Sequence, residues 1–164
     1  MTIGHAAPAP RLHLNDAACA ADILLVEDND EFRKAFAEFL EGAGHSVRVA
    51  ANGVEGLSLI DDRLPAVVIS DVEMPLLDGP AMLSRMFVEN LECAKITIIV
   101  ISASAELPAI AAAIGTPYFL SKPFRGEALL ELLTRALGED ATLAQSPPQR
   151  ARARMPDRPP RSSG

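Results

Sequence analysis

Compact aliphatic runs alternate along this chain with stretches whose apolar residues recur at helical spacing. Ile23-Leu24-Leu25-Val26 is apolar without a break, too short for a helix, and ends abruptly in Glu27 and Asp28, which predicts a buried strand. Phe32, Ala35, Phe36, Phe39, Leu40 and Ala43 then fall on one helix face, closed by Gly42 and Gly44 as stop signals. Val47 to Ala50 reads as a second strand, and Val54, Leu57 and Ile60 mark a short helix. Behind Pro65, the run Ala66-Val67-Val68-Ile69-Ser70 reads as a third strand ending at Asp71. After the turn Met74-Pro75-Leu76-Leu77-Asp78-Gly79, a third helix carries Leu83, Met86 and Phe87 inward. A fourth strand over Ile96 to Ile101 ends at Ser102. Pro108 suits the first turn of a helix through Ile114, Pro117 to Ser121 forms a fifth strand, and Leu129, Leu132, Leu133, Ala136 and Leu137 line a last helix. Strands alternating with helices require right-handed crossovers and a parallel sheet covered by helices on both faces, so the fold class is α/β. The strands lack in-out alternation, as a sheet buried on both faces demands.

At 164 residues the chain holds one domain with tails, placed here at residues 22–140 between an arm (1–21) and a tail (141–164). With 49% hydrophobic and 23% charged residues it has a globular balance, and no apolar stretch approaches a membrane span. The first residues lack the continuous apolar core of a secretory signal, so a cytoplasmic location is expected. Cys19 and Cys93 match no zinc or redox spacing and read as free thiols. The tail concentrates Arg150, Arg152, Arg154, Arg158 and Arg161 against Asp157, in a chain of net charge −7, so the middle is strongly acidic. An acidic domain argues against nucleic acid as its main ligand. The tail also holds Pro147, Pro148, Pro156, Pro159 and Pro160 and little to bury, so both ends are expected to be disordered. Its arginines read as a solvated run, with docking or weak nucleic-acid contact as the alternative.

In an open parallel sheet, functional groups collect beyond the carboxyl ends of the strands. Glu27 and Asp28 follow the first strand, Asp71 the third, Ser102 the fourth and Lys122 the fifth. Singly each has an ordinary explanation, as a helix cap, a satisfied hydroxyl or a solvated lysine. Jointly they put three acids, a hydroxyl and an ammonium on one rim, and clustered carboxylates repel unless a cation sits among them. That set suits phosphoryl transfer to a carboxylate. Acid oxygens hold Mg²⁺, and a lysine and a hydroxyl stabilise the charge spread over the phosphoryl oxygens. An Asp is already ionised at neutral pH, so no histidine base is needed. His5 and His13 lie in the arm, and His45 reads as a surface residue in a turn.

Ile-Leu-Leu-Val-Glu27-Asp28-Asn-Asp, Val-Val-Ile-Ser-Asp71-Val-Glu-Met74-Pro75-Leu-Leu-Asp78-Gly79, Val-Ile-Ser102-Ala103 and Ser-Lys122-Pro123-Phe124 resemble, in order, the motifs of the response-regulator receiver domain of two-component signalling. The resemblance implies a flavodoxin-like sheet of order 2-1-3-4-5 and a signalling domain rather than an enzyme, with slow autodephosphorylation. It implies that Asp71 takes a phosphoryl group from a sensor histidine kinase or a histidine phosphotransfer protein. Asp28, Asp71 and the Glu73 backbone carbonyl would then bind Mg²⁺, with Glu27 acting through a metal-bound water. Lys122 would pair with Asp71 and then with the phosphoryl oxygens, its bond to Pro123 cis, while Ser102 would hydrogen-bond the phosphoryl group. Movement of Ser102, followed by Phe119, would reshape the face made by the fourth helix, fifth strand and fifth helix.

Some positions depart from the commonest pattern of that family. Phe119 stands where many members carry Tyr, with Tyr118 beside it facing the other way, and simple core packing remains the alternative for Phe119. The stretch between Ser102 and Lys122 is short, so a stunted fourth helix is expected. After Phe124 only one helix and the tail remain, which points to a stand-alone receiver acting by contact with an unidentified downstream protein or as a relay. Two other readings stay open. Asp71-Val72-Glu73 is loosely similar to the acceptor motif of haloacid-dehalogenase phosphatases, although Glu73 replaces the second Asp. A receiver-like binding module that does not use phosphate is the other.

Overall fold

The computed structural model describes residues 20–143. The expected disordered arm and tail, with Cys19, His5 and His13, lie outside the described residues, apart from positions 20–21 of the arm and 141–143 of the tail, and the latter three continue the last helix instead of being disordered. Five strands, β1 (Asp22–Val26), β2 (Ser46–Ala50), β3 (Val67–Asp71), β4 (Thr97–Ser102) and β5 (Phe119–Ser121), form one sheet of order β2-β1-β3-β4-β5. Every pairing is parallel, as the alternating pattern predicts. The crossovers are α1 (Asp30–Gly42), α2 (Gly53–Asp62), α3 (Gly79–Glu89) and α4 (Leu107–Ile114), and α5 (Gly126–Leu143) closes the fold.

The sheet divides the core in two because adjacent strand residues point to opposite faces. Leu24, Val26, Val68 and Val100 pack with Met82, Leu83, Met86, Leu107 and Ala111 of α3 and α4. Ile23, Leu25, Ile69 and Ile101 pack on the other face with Leu40 of α1 and Leu129, Leu133 and Ala136 of α5. Ile23 to Val26 are fully buried, and each such aliphatic side chain contributes about 1.5–3 kcal/mol relative to exposure. The uninterrupted aliphatic runs are thereby explained: both parities of the central strands β1, β3 and β4 need an apolar side chain, whereas the edge strands β2 and β5 are only partly covered.

The starts of α1, α2 and α3 carry side-chain caps. Asn29 accepts from the Phe32 N–H, Asn52 from those of Val54 and Glu55, and Asp78 from that of Ala81. The expected short fourth helix is found: α4 has eight residues and stops at Gly115, whose φ of 89° suits a residue without Cβ.

Three local expectations change. The fifth strand begins at Phe119 rather than Pro117, because Pro117 has no N–H for the ladder and Thr116 supplies substitute bonds. Its hydroxyl donates to the Ile98 carbonyl at 2.6 Å and accepts from the Tyr118 N–H at 3.1 Å. A 3-10 helix over Leu91–Lys95, without a periodic apolar pattern to announce it, connects α3 to β4 and buries Cys93, a free thiol. His45 is buried, not exposed, and its Nδ1 accepts the Ala21 N–H at 3.3 Å.

Burial holds the His45 imidazole below its ordinary 6.5. The unfolded chain therefore takes up this proton more readily than the folded one, so the stabilisation is present above pH 6.5 and is lost as pH falls below it. Thermal unfolding of the full chain from about pH 7 to about pH 5.5 should show a larger drop in midpoint for wild type than for His45→Gln, which offers an acceptor without titrating. Parallel drops would show that His45 does not contribute to acid sensitivity.

Candidate functional site

Glu27, Asp71, Ser102 and Lys122 stand at or just beyond the carboxyl ends of β1, β3, β4 and β5. Parallel pairing aligns these ends: Val26 faces Ser70, Asp71 faces Ile101 and Ser102 faces Ser121. The Lys122 N–H donates to the Ser102 carbonyl at 2.8 Å, which continues the ladder past β5 and turns the lysine toward the middle of the rim. The Lys122–Pro123 peptide bond is cis.

Lys122 Nζ lies 2.6 Å from Asp71 Oδ2 and 2.7 Å from Glu27 Oε2. Both acids are buried, Glu27 at 1% exposure and Asp71 at 7%. Two carboxylates withdrawn from water this far need a partner charge, and one ammonium serves both. Burial, with the Asp71 charge adding to it, pushes the Glu27 carboxyl up despite the lysine's hydrogen bond. Burial alone lowers the ammonium of Lys122, but hydrogen bonds and charge from Asp71 and Glu27 outweigh it and hold it above its ordinary value. The lysine is therefore a cation across the physiological range.

Asp71 is fixed on both carboxylate oxygens. Oδ1 accepts the Val72 N–H at 2.6 Å and the Glu73 N–H at 3.4 Å, while Oδ2 faces Lys122. Its carbonyl accepts the Ser70 hydroxyl at 2.8 Å. The loop beyond closes through Gly79 N–H to Val72 carbonyl, 3.0 Å, and Gly53 N–H to Leu77 carbonyl, 3.0 Å. Within that loop Leu76 has φ 68° and is 84% exposed, a conformation costing a non-glycine residue about 1–2 kcal/mol.

Oxygen atoms of Glu27, Asp28 and Asp71 lie within 4.8 Å of one another, so the three acids could hold a metal ion. An all-oxygen donor set suits a hard divalent cation. Asp28 is exposed and is the one member of the cluster that lines an open cleft, together with Val72, Glu73, Met74, Pro75, Asp78 and Pro80. Glu73 thus borders the cleft, with its side chain exposed. Ser102 is buried, and its hydroxyl accepts the Ser104 N–H at 2.9 Å. Phe119 is half-buried against the face formed by α3 and α4, whereas its neighbour Tyr118 is buried on the α5 face.

Two contributors were not anticipated. Arg33 Nη1 donates to the carbonyls of Glu27, at 2.7 Å, and Asp28, at 3.4 Å, and so braces the acidic loop. Phe32, which periodicity places on the helix's buried face, also stands beside Lys122, with Nζ 4.6 Å from its ring centroid. Both lie in the first turn after the acid pair, where a polar loop must be held rigid. For Arg33 that position is the signal the sequence offers, and for Phe32 helical periodicity adds its place on the buried face.

Comparison with known proteins agrees with the geometry. The family described as "Response regulator receiver domain" matches residues 23–134. The C4-dicarboxylate transport transcriptional regulatory protein DctD of Rhizobium meliloti is 29% identical over 121 residues, 73% of this chain and 26% of DctD. The crystal structure of NtrX from Brucella abortus is 30% identical, with a TM-score of 0.68 over 76% of this chain and 28% of that one. The chemotaxis response regulator CheY4 of Vibrio cholerae is also 30% identical, with a TM-score of 0.65 over 71% of this chain and 98% of CheY4. The chain thus spans about a quarter of the regulators DctD and NtrX but nearly the whole of CheY4. Fold, rim chemistry and similarity over most of the chain converge, and the chain belongs to the response regulator receiver domain family.

Proposed function

We propose that this chain is a response-regulator receiver that accepts a phosphoryl group on Asp71 from a phosphohistidine of a sensor kinase or phosphotransfer protein. The observation that carries this reading is the Lys122 ammonium bridging Asp71 and Glu27 inside a cluster of three acids. An Asp71 carboxylate oxygen attacks phosphorus, the histidine N–P bond breaks, and the departing imidazole nitrogen keeps the electron pair. Asp28, Asp71 and the Glu73 carbonyl would hold Mg²⁺, with Glu27 acting through a water. When bound, the ion supplies positive charge to the phosphoryl oxygens.

Lys122 passes from pairing with the Asp71 carboxylate to binding the phosphoryl oxygens attached to it, and Ser102, whose oxygen accepts the Ser104 N–H, donates its hydroxyl proton to one of those oxygens. The adduct adds about −1.5 to −2 charges at the rim. Phe119 then follows Ser102, altering the α4–β5–α5 face that a downstream protein reads. Contact with such a protein, or onward transfer to another histidine, is how the signal leaves.

Incubating the full chain with acetyl phosphate and Mg²⁺ tests this directly. One phosphoryl group per chain, dependent on Mg²⁺ and released by hydroxylamine, is expected by intact-mass measurement. A chain that gains no mass while remaining folded overturns the proposal.

A further inference from the structure

The geometry points to Phe32 as a positioning residue for the transfer reaction: its ring face holds the Lys122 ammonium by a cation–π contact and fixes it against the phosphoacceptor. This rests on the function proposed above and assigns a role within it. An ammonium has three N–H donors. Two of the Lys122 directions are taken by Asp71 Oδ2 and Glu27 Oε2, at 2.6 and 2.7 Å. The Phe32 ring centroid lies 4.6 Å from the same nitrogen, well within the roughly 6 Å over which an aromatic face attracts a cation.

The ring itself is held in place from several directions. Phe32 stacks on Phe36 with centroids 4.2 Å apart and meets the edge of Phe124 at 5.6 Å, while Phe36 and Phe124 lie 5.1 Å apart. Its backbone N–H is fixed by the Asn29 cap at 2.9 Å, and Glu27 Oε1 accepts the Asn29 N–H at 3.2 Å. The ring and one carboxylate partner of the lysine thus belong to one braced turn. Phe124, two residues past the lysine, packs into the same cluster and ties the other end of the arrangement to it.

A carboxylate in the ring's place would attract the ammonium more strongly, but it would also add a fourth acid to a rim already crowded with three, and it would have lone pairs for a metal. Glu27 and Asp71 both belong to the cluster of acids that could hold a metal ion, whereas the ring offers a cation-attracting face and no oxygen donor. Of these three contacts, the ring is the one whose hold on Lys122 is not shared with the metal site. It keeps the lysine pointed at Asp71 while the carboxylates serve two cations.

Replacing Phe32 with mono-, di- and trifluorophenylalanine in the full chain weakens the ring's negative face stepwise while nearly preserving its shape. The probes are acetyl phosphate for the rate of adduct formation and beryllium fluoride with Mg²⁺ for affinity. A third readout is the NMR shift of the Lys122 side chain, which ring currents move only while the ring covers it. Phe32→Leu supplies apolar volume without an aromatic face, and thermal unfolding checks that each variant is folded.

The expected result is a graded fall in both rate and affinity, reaching about three- to tenfold in the trifluoro and leucine variants. It should be accompanied by displacement of the Lys122 resonances that is largest in the leucine variant. A flat series, or a loss in Phe32→Leu alone with no gradation across the fluorinated rings, would reduce Phe32 to core packing and overturn the assignment. If wild type itself forms no adduct, the proposed function fails, and the role of Phe32 in it fails with it. That outcome is distinguished from the others because it is read on the unmodified chain.

Discussion

Asp71→Asn should abolish adduct formation, lowering the rate with acetyl phosphate by at least about a thousandfold, because an amide oxygen is neither charged nor a competent nucleophile. The change is close to isosteric, and an amide oxygen at the Oδ1 position can keep the Val72 N–H bond now 2.6 Å long, while the amide NH2 then faces the Lys122 ammonium donor to donor, so Lys122 shifts toward Glu27. What disappears is the negative charge beside Lys122 Nζ. Lys122 retains Glu27, so the buried ammonium is not left unpaired, and loss of Asp71's charge relieves part of what pushes the Glu27 carboxyl up. The variant should therefore fold, with its stability within about 1 kcal/mol of wild type. Intact mass after acetyl phosphate treatment and thermal unfolding are the two measurements. A phosphoryl group still present at wild-type level would move the acceptor to another residue, with Asp28 the first to test.

Gly79→Ala should be the most damaging small substitution near the site. A Cβ there would collide with the Asp71 carbonyl and stand 2.8 Å from Ser70 Oγ. Those contacts belong to backbone and a short buried side chain, neither of which swings away cheaply, and Gly79 N–H also closes the loop onto Val72. Overpacking of this kind costs about 3 kcal/mol, lowering the unfolding midpoint by about 10 °C in a domain of this size. Because the displaced carbonyl belongs to Asp71 itself, adduct formation should fall together with stability. Gly42→Ala is the matched comparison: a Cβ there meets nothing within 4 Å, so its effect should be small. Equal midpoints for the two variants would mean that the β3–α3 loop shifts to accept a methyl group, and that the loop's tight closure does not set the position of Asp71.

Much of this arrangement was legible in the sequence because the informative residues lie where strands stop. Glu27, Asp71, Ser102 and Lys122 each interrupt or follow an aliphatic run, and parallel topology sends all such interruptions to one rim. What stayed hidden depends on partners far along the chain. His45 sits between Gly44 and Ser46 and looks like a turn residue until β1 and β2 pair and bring Ala21 to its ring. Phe32 shows its helix face by periodicity, but not that a lysine 90 positions later lies across the ring. The start of β5 was misplaced because Thr116 and Tyr118 extend the bonding by a side-chain route that hydrophobic pattern does not encode. Leu91–Lys95 has no repeating apolar pattern from which a 3-10 turn could be read. Local patterns thus identify the elements and the ends of strands, while cross-chain contacts decide which neighbours tune them.

The ion pair between Lys122 and Glu27 joins residues 95 positions apart. During synthesis Glu27 and Asp71 emerge well before the lysine that pairs with both, and a chain halted before residue 119 carries the acidic cluster without it. Such a fragment also lacks β5 and α5, and with them Leu129, Leu133 and Ala136 of one core face. An interrupted product would be a poorly folded, self-repelling polypeptide open to proteolysis, so the contact that completes the rim forms only once the last strand and helix are available to hold it.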